Sequence, residues 1–231
     1  MTLTVLDPRS GRTSTDRSRL RTVRRRLLAM AASVGLMVFE PAAANSPPLL
    51  STILPPTTEA ILSDGPAGPT PAWTAFCKHR PEECAVDPSE PPVVTLTPDL
   101  WLTIGAVNAR VNRTILAVTD QDHWGVPDRW DYPEDGLGDC EDIQLLKRKL
   151  LIEAGLSRRA LPMTVVIDEQ GAGHAVLMVR TDRGDFILDN KRDAVLAWYE
   201  TGYHYVKREG DDGGAWVWLG GEPVPTVTAT R

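Results

Sequence analysis

Five consecutive residues, Gly138-Asp139-Cys140-Glu141-Asp142, decide how this chain is read. Asp139 is a residue type that caps helices, and Cys140 to Ala154 continues as a helix that Gly155 closes. A cysteine therefore opens a helix. Ile143, Leu146, Leu150 and Ala154 recur at three- and four-residue spacing and form the expected buried stripe. Cys140 lies three residues before Ile143, so its thiol is expected to face the core layer. Downstream, Gly173-His174-Ala175 falls at the start of a strand and Leu188-Asp189-Asn190 at the end of the next. In that order the three segments supply a nucleophile, a base and an orienting carboxylate.

The strands around them follow from β signals over Met163–Asp168, His174–Arg180 and Asp185–Asp189, with Thr181-Asp182-Arg183-Gly184 as a hairpin turn. Tyr203–Lys207 and Ala215–Leu219 add two candidate strands. If Arg180 pairs with Asp185, Val176 lies opposite Asp189, and His174 shares a face with Asp189 as its diagonal neighbour. A slip of one residue would put the two on opposite faces. The carboxylate can then hold one imidazole nitrogen and leave the other for the thiol. Helix N–H groups beside Cys140 favour a thiolate. Asp139, Glu141 and Asp142 oppose it by like-charge repulsion, which a Ca²⁺ held by hard oxygens of this turn and of the acidic loop that precedes it would cancel. Capping accounts for Asp139, and acids in a first helical turn are stabilising in their own right. A lone cysteine is more often a small buried hydrophobe, and a strand histidine more often structural. The ordered set is what lifts the catalytic reading.

Upstream, Thr97-Pro98-Asp99 reads as a helix start, with an apolar stripe from Trp101 through Val118 and Asn108 and Asn112 beside it. The stretch Asp120 to Asp142 carries nine acids and one base, Arg129, with Trp124, Trp130 and Tyr132 among them. Its Gly and Pro residues predict a long ordered loop without regular elements. His123, in this loop, is the reserve candidate for the base.

The N-terminus carries eight arginines and two acids in residues 1–26, then an apolar run from Leu27 to Phe39 and Ala42-Ala43-Ala44. This is the layout of a secretory signal peptide over 1–44, with a run too short for a stable membrane span. Residues 45–72, rich in Pro, Ser, Thr, Ala and Gly, are expected to be a mobile linker; 73–220 the domain; and 221–231 a frayed tail. The whole chain has 25 basic and 31 acidic residues, and the leader takes 8 and 3, leaving 17 against 28, a net charge of −11. That balance argues against nucleic acid or anionic lipid as a partner. Export into an oxidising compartment, a periplasm, makes Cys77 and Cys84 an expected disulfide. A Cys/His metal knuckle using His79 is the alternative, short of the four ligands a structural zinc site usually has. Pairing these two leaves Cys140 free. Helices first and antiparallel strands after give an α+β layout.

Val107-Asn108, Asp122-His123-Trp124-Gly125, Gly138 to Asp142, Gly173-His174-Ala175 and Leu188-Asp189-Asn190 together resemble the bacterial transglutaminase-like cysteine proteinase family, over roughly residues 73–220. Phe76–Cys84 looks like the corresponding segment of its exported branch. The resemblance implies a papain-like, transglutaminase-like core with the nucleophile helix packed on an antiparallel sheet, and a triad of Cys140, His174 and Asp189. It implies calcium tied to Asp139, Glu141 and Asp142. Some relatives of this kind are periplasmic proteases that cleave surface adhesins and are restrained by a cyclic-di-GMP-sensing membrane receptor. The Cys140 backbone N–H is one natural oxyanion donor. Trp124, whose indole transglutaminase-like enzymes use in this way, and Asn108 are candidates for the second. Two other readings stand beside the protease: acyl transfer to an amine on the same triad, and a calcium-stabilised binding module with a buried, inert thiol.

Overall fold

The computed structural model describes residues 53–212 and 215–220. The leader expected over 1–44, residues 45–52 of the linker and the tail over 221–231 lie outside the described residues. In chain order the elements are β1 (Ser63–Ala67), α1 (Pro71–His79), α2 (Pro98–Thr114), β2 (Leu116–Ala117), α3 (Asp120–His123), β3 (Leu137–Gly138) and α4 (Cys140–Glu153). Then follow β4 (Met163–Ile167), β5 (Gly173–Thr181), β6 (Gly184–Asp189), β7 (Arg192–Ala197), β8 (His204–Glu209) and β9 (Trp216–Leu219).

The main sheet has seven strands in the order β1-β9-β8-β4-β5-β6-β7, and every neighbouring pair is antiparallel. Helices α2 and α4 pack side by side, α2 against β7 and α4 against β5. The fold is α+β, with the nucleophile helix on an antiparallel sheet. The β5–β6 hairpin has the expected register, Arg180 opposite Asp185. Alternation along it builds two cores. Leu177, Val179, Phe186 and Leu188 join Trp73, Phe76, Leu145, Leu151 and Trp216 on the helix side. Val176, Met178 and Ile187 join Tyr203, Tyr205 and Leu219 on the other. Each such side chain, taken from water, contributes about 2 kcal/mol.

Four expectations need correction. Residues 53–72 are part of the fold, not a mobile linker. The segment straps the sheet: Thr58 N–H donates to Arg183 O at 2.9 Å, Arg183 Nε to Pro55 O at 2.8 Å, and Ile61 N–H to Asp185 Oδ2 at 2.9 Å. Trp198 Nε1 donates to Glu59 O at 2.9 Å, and β1 then pairs with β9. Prolines and small polar residues suit an extended strap as well as a linker, because neither needs a helix or a central strand. Helix α2 starts as expected, Thr97 Oγ1 accepting from Leu100 N–H at 3.2 Å, but it stops at Thr114, not near Val118. Ile115 turns extended there (φ −102°, ψ 127°), and Leu116–Ala117 pair in parallel with Leu137–Gly138. The acidic loop thus contains regular pieces, α3 and β3. Finally, the expected stripe on α4 is displaced: Leu146 and Leu150 are half-buried and Ala154 exposed, while Glu141, Gln144, Leu145, Lys147, Arg148 and Leu151 are buried.

One buried charge on α4, that of Arg148, has its partner on a distant strand. Arg148 Nη1 meets Glu209 Oε2 at 2.7 Å. The same carboxylate accepts from Trp73 Nε1 at 2.7 Å and Met163 N–H at 2.9 Å. Glu209 therefore joins α1, α4 and β4 in one network. Cys77 and Cys84 form a disulfide, Cα to Cα 5.5 Å, and Cys140 is the free thiol. None of the described helices is long and apolar enough to cross a membrane.

Candidate active site

Cys140 is the first residue of α4 and is completely buried. Gly138 precedes it where no side chain fits: a Cβ there would lie 2.9 Å from Asp142 Cβ. The sulfur accepts from the backbone N–H of Ala175 at 3.4 Å, and the thiol donates to Glu141 Oε2 at 3.1 Å. Burial, and then the negative charges of Glu141 and Asp139, push the thiol well above its ordinary pKa, while the Ala175 N–H works the other way.

His174, at the second position of β5, has its ring on Asp189 at the last position of β6, Nε2 to Oδ1 2.9 Å. Both side chains are buried, at 0% and 1% exposure, which removes water as a competitor for that bond. Asp189 also accepts from Tyr203 Oη at 2.5 Å and from Lys191 N–H at 3.0 Å. Burial alone would raise this carboxyl; the bond and charge of His174, with the Lys191 and Tyr203 donors, outweigh it and hold the pKa at about 2. Asp189 is thus an anion that fixes the imidazole through Nε2. The other nitrogen, Nδ1, is buried with no partner among the described residues. Alternation on β5 sends Ala175 toward Cys140 and His174 toward Asp189 and Tyr203. The thiol on α4 therefore touches Ala175, the imidazole belongs to the preceding residue of that strand, and among the described residues the two side chains share no hydrogen bond.

The acids around Cys140 converge more than helical spacing suggests. Ligand oxygens of Asp120, Asp139 and Asp142 all lie within 4.8 Å of one another, and so do those of Asp120, Asp128 and Glu141. Asp139 occupies the cap position of α4, but its side chain caps nothing. The expectation that capping accounts for Asp139 is corrected: Oδ2 instead accepts from Asp120 N–H at 3.4 Å, which turns the carboxylate into the cluster. Asp142 Oδ1 accepts from Asp131 N–H at 2.7 Å, and Asp120 from Arg129 N–H. Burial, then the neighbouring acids, raises Asp142 to about 8; Asp128 and Asp139 rise to about 6, with burial again the leading cause. Asp128 Oδ1, Asp139 Oδ1 and Glu141 Oε1 are buried without a partner among the described residues. Several hard oxygens, converging and unsatisfied, fit a Ca²⁺. Asp120 and Asp128 are additions that sequence reasoning missed. Their signal was the acidic excess of the loop, but only the chain path through α3 brings these two back to the helix start.

The two side chains considered for the oxyanion are placed differently. Asn108 Nδ2 donates to the carbonyls of Arg192 and Asp193, each at 3.0 Å, so its amide ties α2 to β7. Trp124 is 44% exposed, stacked on His123 at 3.9 Å and covered by the Arg129 guanidinium at 4.4 Å. His123 itself pairs with Asp135 at 2.9 Å. Arg80, beside the disulfide, holds Asp131 at 2.9 Å, whose N–H in turn holds Asp142, so the crosslinked segment braces the acidic loop.

A thiol opening a helix that rests on an antiparallel sheet, with histidine and aspartate on adjacent strands beside it, is the layout of papain-like, transglutaminase-like peptidases. The family model described as bacterial transglutaminase-like cysteine proteinase matches residues 64–223, and the chain belongs to that family of cysteine peptidases. Among solved structures it is similar to Legionella pneumophila LapG, at 25% identity over 54% of this chain and 71% of that one, TM-score 0.44. The calcium-bound form of LapG gives 22% identity over 58% and 76%, TM-score 0.46, and the EGTA-treated form 25% over 55% and 70%, TM-score 0.45. A search of curated proteins finds no match.

Proposed function

We propose that this chain is an exported protease that cleaves a protein substrate through a thioester on Cys140, with His174 as base and Asp189 as the group that orients it. The observation that carries the reading is the buried His174–Asp189 pair, 2.9 Å, next in sequence to the Ala175 N–H that touches the Cys140 sulfur. The His174 ring, held by Nε2, has Nδ1 left to take the thiol proton. The thiolate then attacks the peptide carbonyl and forms a C–S bond. Collapse of the tetrahedral adduct breaks the C–N bond, and the imidazolium returns its proton to the leaving amine. A water deprotonated by His174 hydrolyses the thioester. The Cys140 N–H at the helix start donates to the oxyanion. Catalytic hydrogen bonds are often loose before substrate binds, which accommodates the separation of thiol and imidazole.

Asp120, Asp128, Asp139, Glu141 and Asp142 would hold a Ca²⁺. Its charge would offset the carboxylates that now raise the thiol pKa and would withdraw Glu141 from the thiol. The basic lead, apolar run and Ala42-Ala43-Ala44 support export to the periplasm, with a mature chain beginning near Asn45. A surface adhesin as substrate and a cyclic-di-GMP-sensing membrane receptor as restraint are the partners that the sequence resemblance suggests. Comparison of surface proteins from cells carrying the wild type and Cys140→Ala tests substrate and mechanism together. A surface protein shortened only in the wild type is expected. Identical cleavage in both would remove Cys140 from the mechanism, and an intact Met1 on soluble cytoplasmic material would remove the export.

A further inference from the structure

The backbone ladder between β5 and β6 stops short of the proposed triad. Its last pair is Leu177 opposite Leu188, so His174 and Asp189 lie beyond it. His174 is paired instead with Val166 of β4, and Asp189 with Arg192 of β7. Each is held from its outer neighbour, and no ladder pair joins the two strand ends to each other. A ladder pair fixes two Cα atoms about 5 Å apart, and past its end that constraint is gone. Side chains have to set the spacing there.

Two ion pairs cross the gap. Lys191 follows Asp189 in the turn between β6 and β7, and Asp168 lies in the turn that leads from β4 into His174. Lys191 Nζ meets Asp168 Oδ2 at 2.5 Å. The backbone N–H of the same lysine donates to Asp189 Oδ1 at 3.0 Å, the oxygen that His174 Nε2 meets at 2.9 Å. Lys191 thus holds the carboxylate with its main chain and the histidine's turn with its side chain. Asp168 Oδ1 accepts from Gln170 N–H at 2.9 Å and from Ala172 N–H at 2.8 Å, which closes the turn that β5 starts from. One oxygen of Asp168 shapes the turn, and the other receives the lysine. An exposed ion pair is worth little, because water screens it. Here the Asp168 side chain is 1% exposed and that of Lys191 25%. A buried carboxylate is costly without its partner, so this link is a fixed one. The second pair, Arg192 Nη2 to Glu169 Oε1, is longer at 3.7 Å and open to water on both sides, and it holds less.

We propose that Lys191 and Asp168 form a clamp that positions Asp189 against His174, taking the place of the ladder pairing that β5 and β6 lack at that end. The role rests on the triad reading above. Lys191 and Asp168 touch no reacting atom. They act through Asp189, whose drift would misplace the imidazole, and small errors of position in a catalytic group cost rate.

The test reads the His174–Asp189 bond itself. The chain has four histidines, so in full-length protein isotope-labelled at histidine the Nε2 proton of His174 is assigned by its loss in His174→Ala. Its exchange with water is measured in the wild type, Lys191→Met, Asp168→Asn and the double variant. Methionine removes the charge and keeps most of the length; asparagine keeps an oxygen for the Gln170 and Ala172 N–H groups. The clamp predicts exchange about tenfold faster in each single variant, no further gain in the double variant, and β5–β6 ladder amides changed by less than about twofold. A pair that merely stabilised the fold would speed the ring proton and the ladder amides alike. Acceleration below about threefold in either single variant, equal acceleration of the ladder amides, or single effects that multiply in the double variant would overturn the clamp. So would a wild type whose His174 ring proton shows no protection. If Lys191→Met fails to fold, Asp168→Asn carries the same decision. Alkylation of Cys140 by iodoacetamide is followed in His174→Ala alongside. A rate equal to wild type there would end the triad reading, and the proton exchange, which does not involve the thiol, would still decide whether the clamp holds the pair.

Discussion

At the scale of single residues, the site holds two kinds of carboxylate with opposite pH behaviour. Asp189 has its pKa depressed to about 2, so it stabilises the fold above the ordinary carboxylate range, and that contribution is lost as pH falls from about 4 to 2. Asp128 and Asp139 are raised to about 6 and Asp142 to about 8. The folded state keeps those protons where the unfolded chain has released them, so stability falls as pH rises from about 4 to 8. Chelator-treated protein is therefore expected to melt at a higher temperature at pH 5 than at pH 8, and Ca²⁺ is expected to restore the loss at pH 8. A chelated protein more stable at pH 8 would mean that these acids are solvated. Asp189→Asn is expected to lower kcat by on the order of 10³-fold with the fold retained, because an amide can present its N–H to Nε2 and reverse the tautomer. Steady-state kinetics beside a circular-dichroism melt measures both. The placement of the three proposed triad residues was readable in the sequence, since the helix start at Cys140, the strand start at His174 and the hairpin register of Asp189 follow from local pattern. Asp120 and Asp128 were not, because their approach to Glu141 depends on a chain path that no local pattern encodes.

At the scale of elements, α4 carries most of the load. Its charged residues look like a solvent face in sequence, and that is why the expected stripe was displaced. Arg148 is buried only because Glu209, from β8, meets it at 2.7 Å. Glu209→Ala would leave that guanidinium buried and unpaired, and would also strip acceptors from Trp73 and Met163. A loss of about 3–5 kcal/mol is expected in urea unfolding. A loss below about 1 kcal/mol would show that Arg148 reaches water instead. Strands β4, β5, β6, β8 and β9 were legible from alternation and turns. In the main sheet two strands were not. β1 sits in a Pro-rich segment that reads as linker, and β7, Arg192-Asp193-Ala194-Val195-Leu196-Ala197, is an edge strand whose exposed charges hide the pattern.

At the scale of the whole molecule, an acidic cluster is built beside a thiol that has to ionise. Burial and acid charge both raise the thiol pKa, and the helix terminus alone offsets little, typically under about 1 kcal/mol. Calorimetric titration of the metal-stripped protein is expected to show Ca²⁺ binding, with Mg²⁺ a poor substitute because it demands stricter octahedral geometry. No heat up to millimolar Ca²⁺ would leave His174, the Ala175 N–H and the helix terminus to support the thiolate. The most direct test of the central claim is the rate at which an iodoacetamide-type probe alkylates Cys140, followed by intact mass in calcium-loaded wild type and His174→Ala at neutral pH. The account predicts one adduct per chain on Cys140, loss of turnover in proportion to labelling, and alkylation slower by on the order of 10²-fold in His174→Ala. Equal rates in the two proteins, or full turnover in the labelled enzyme, would contradict it.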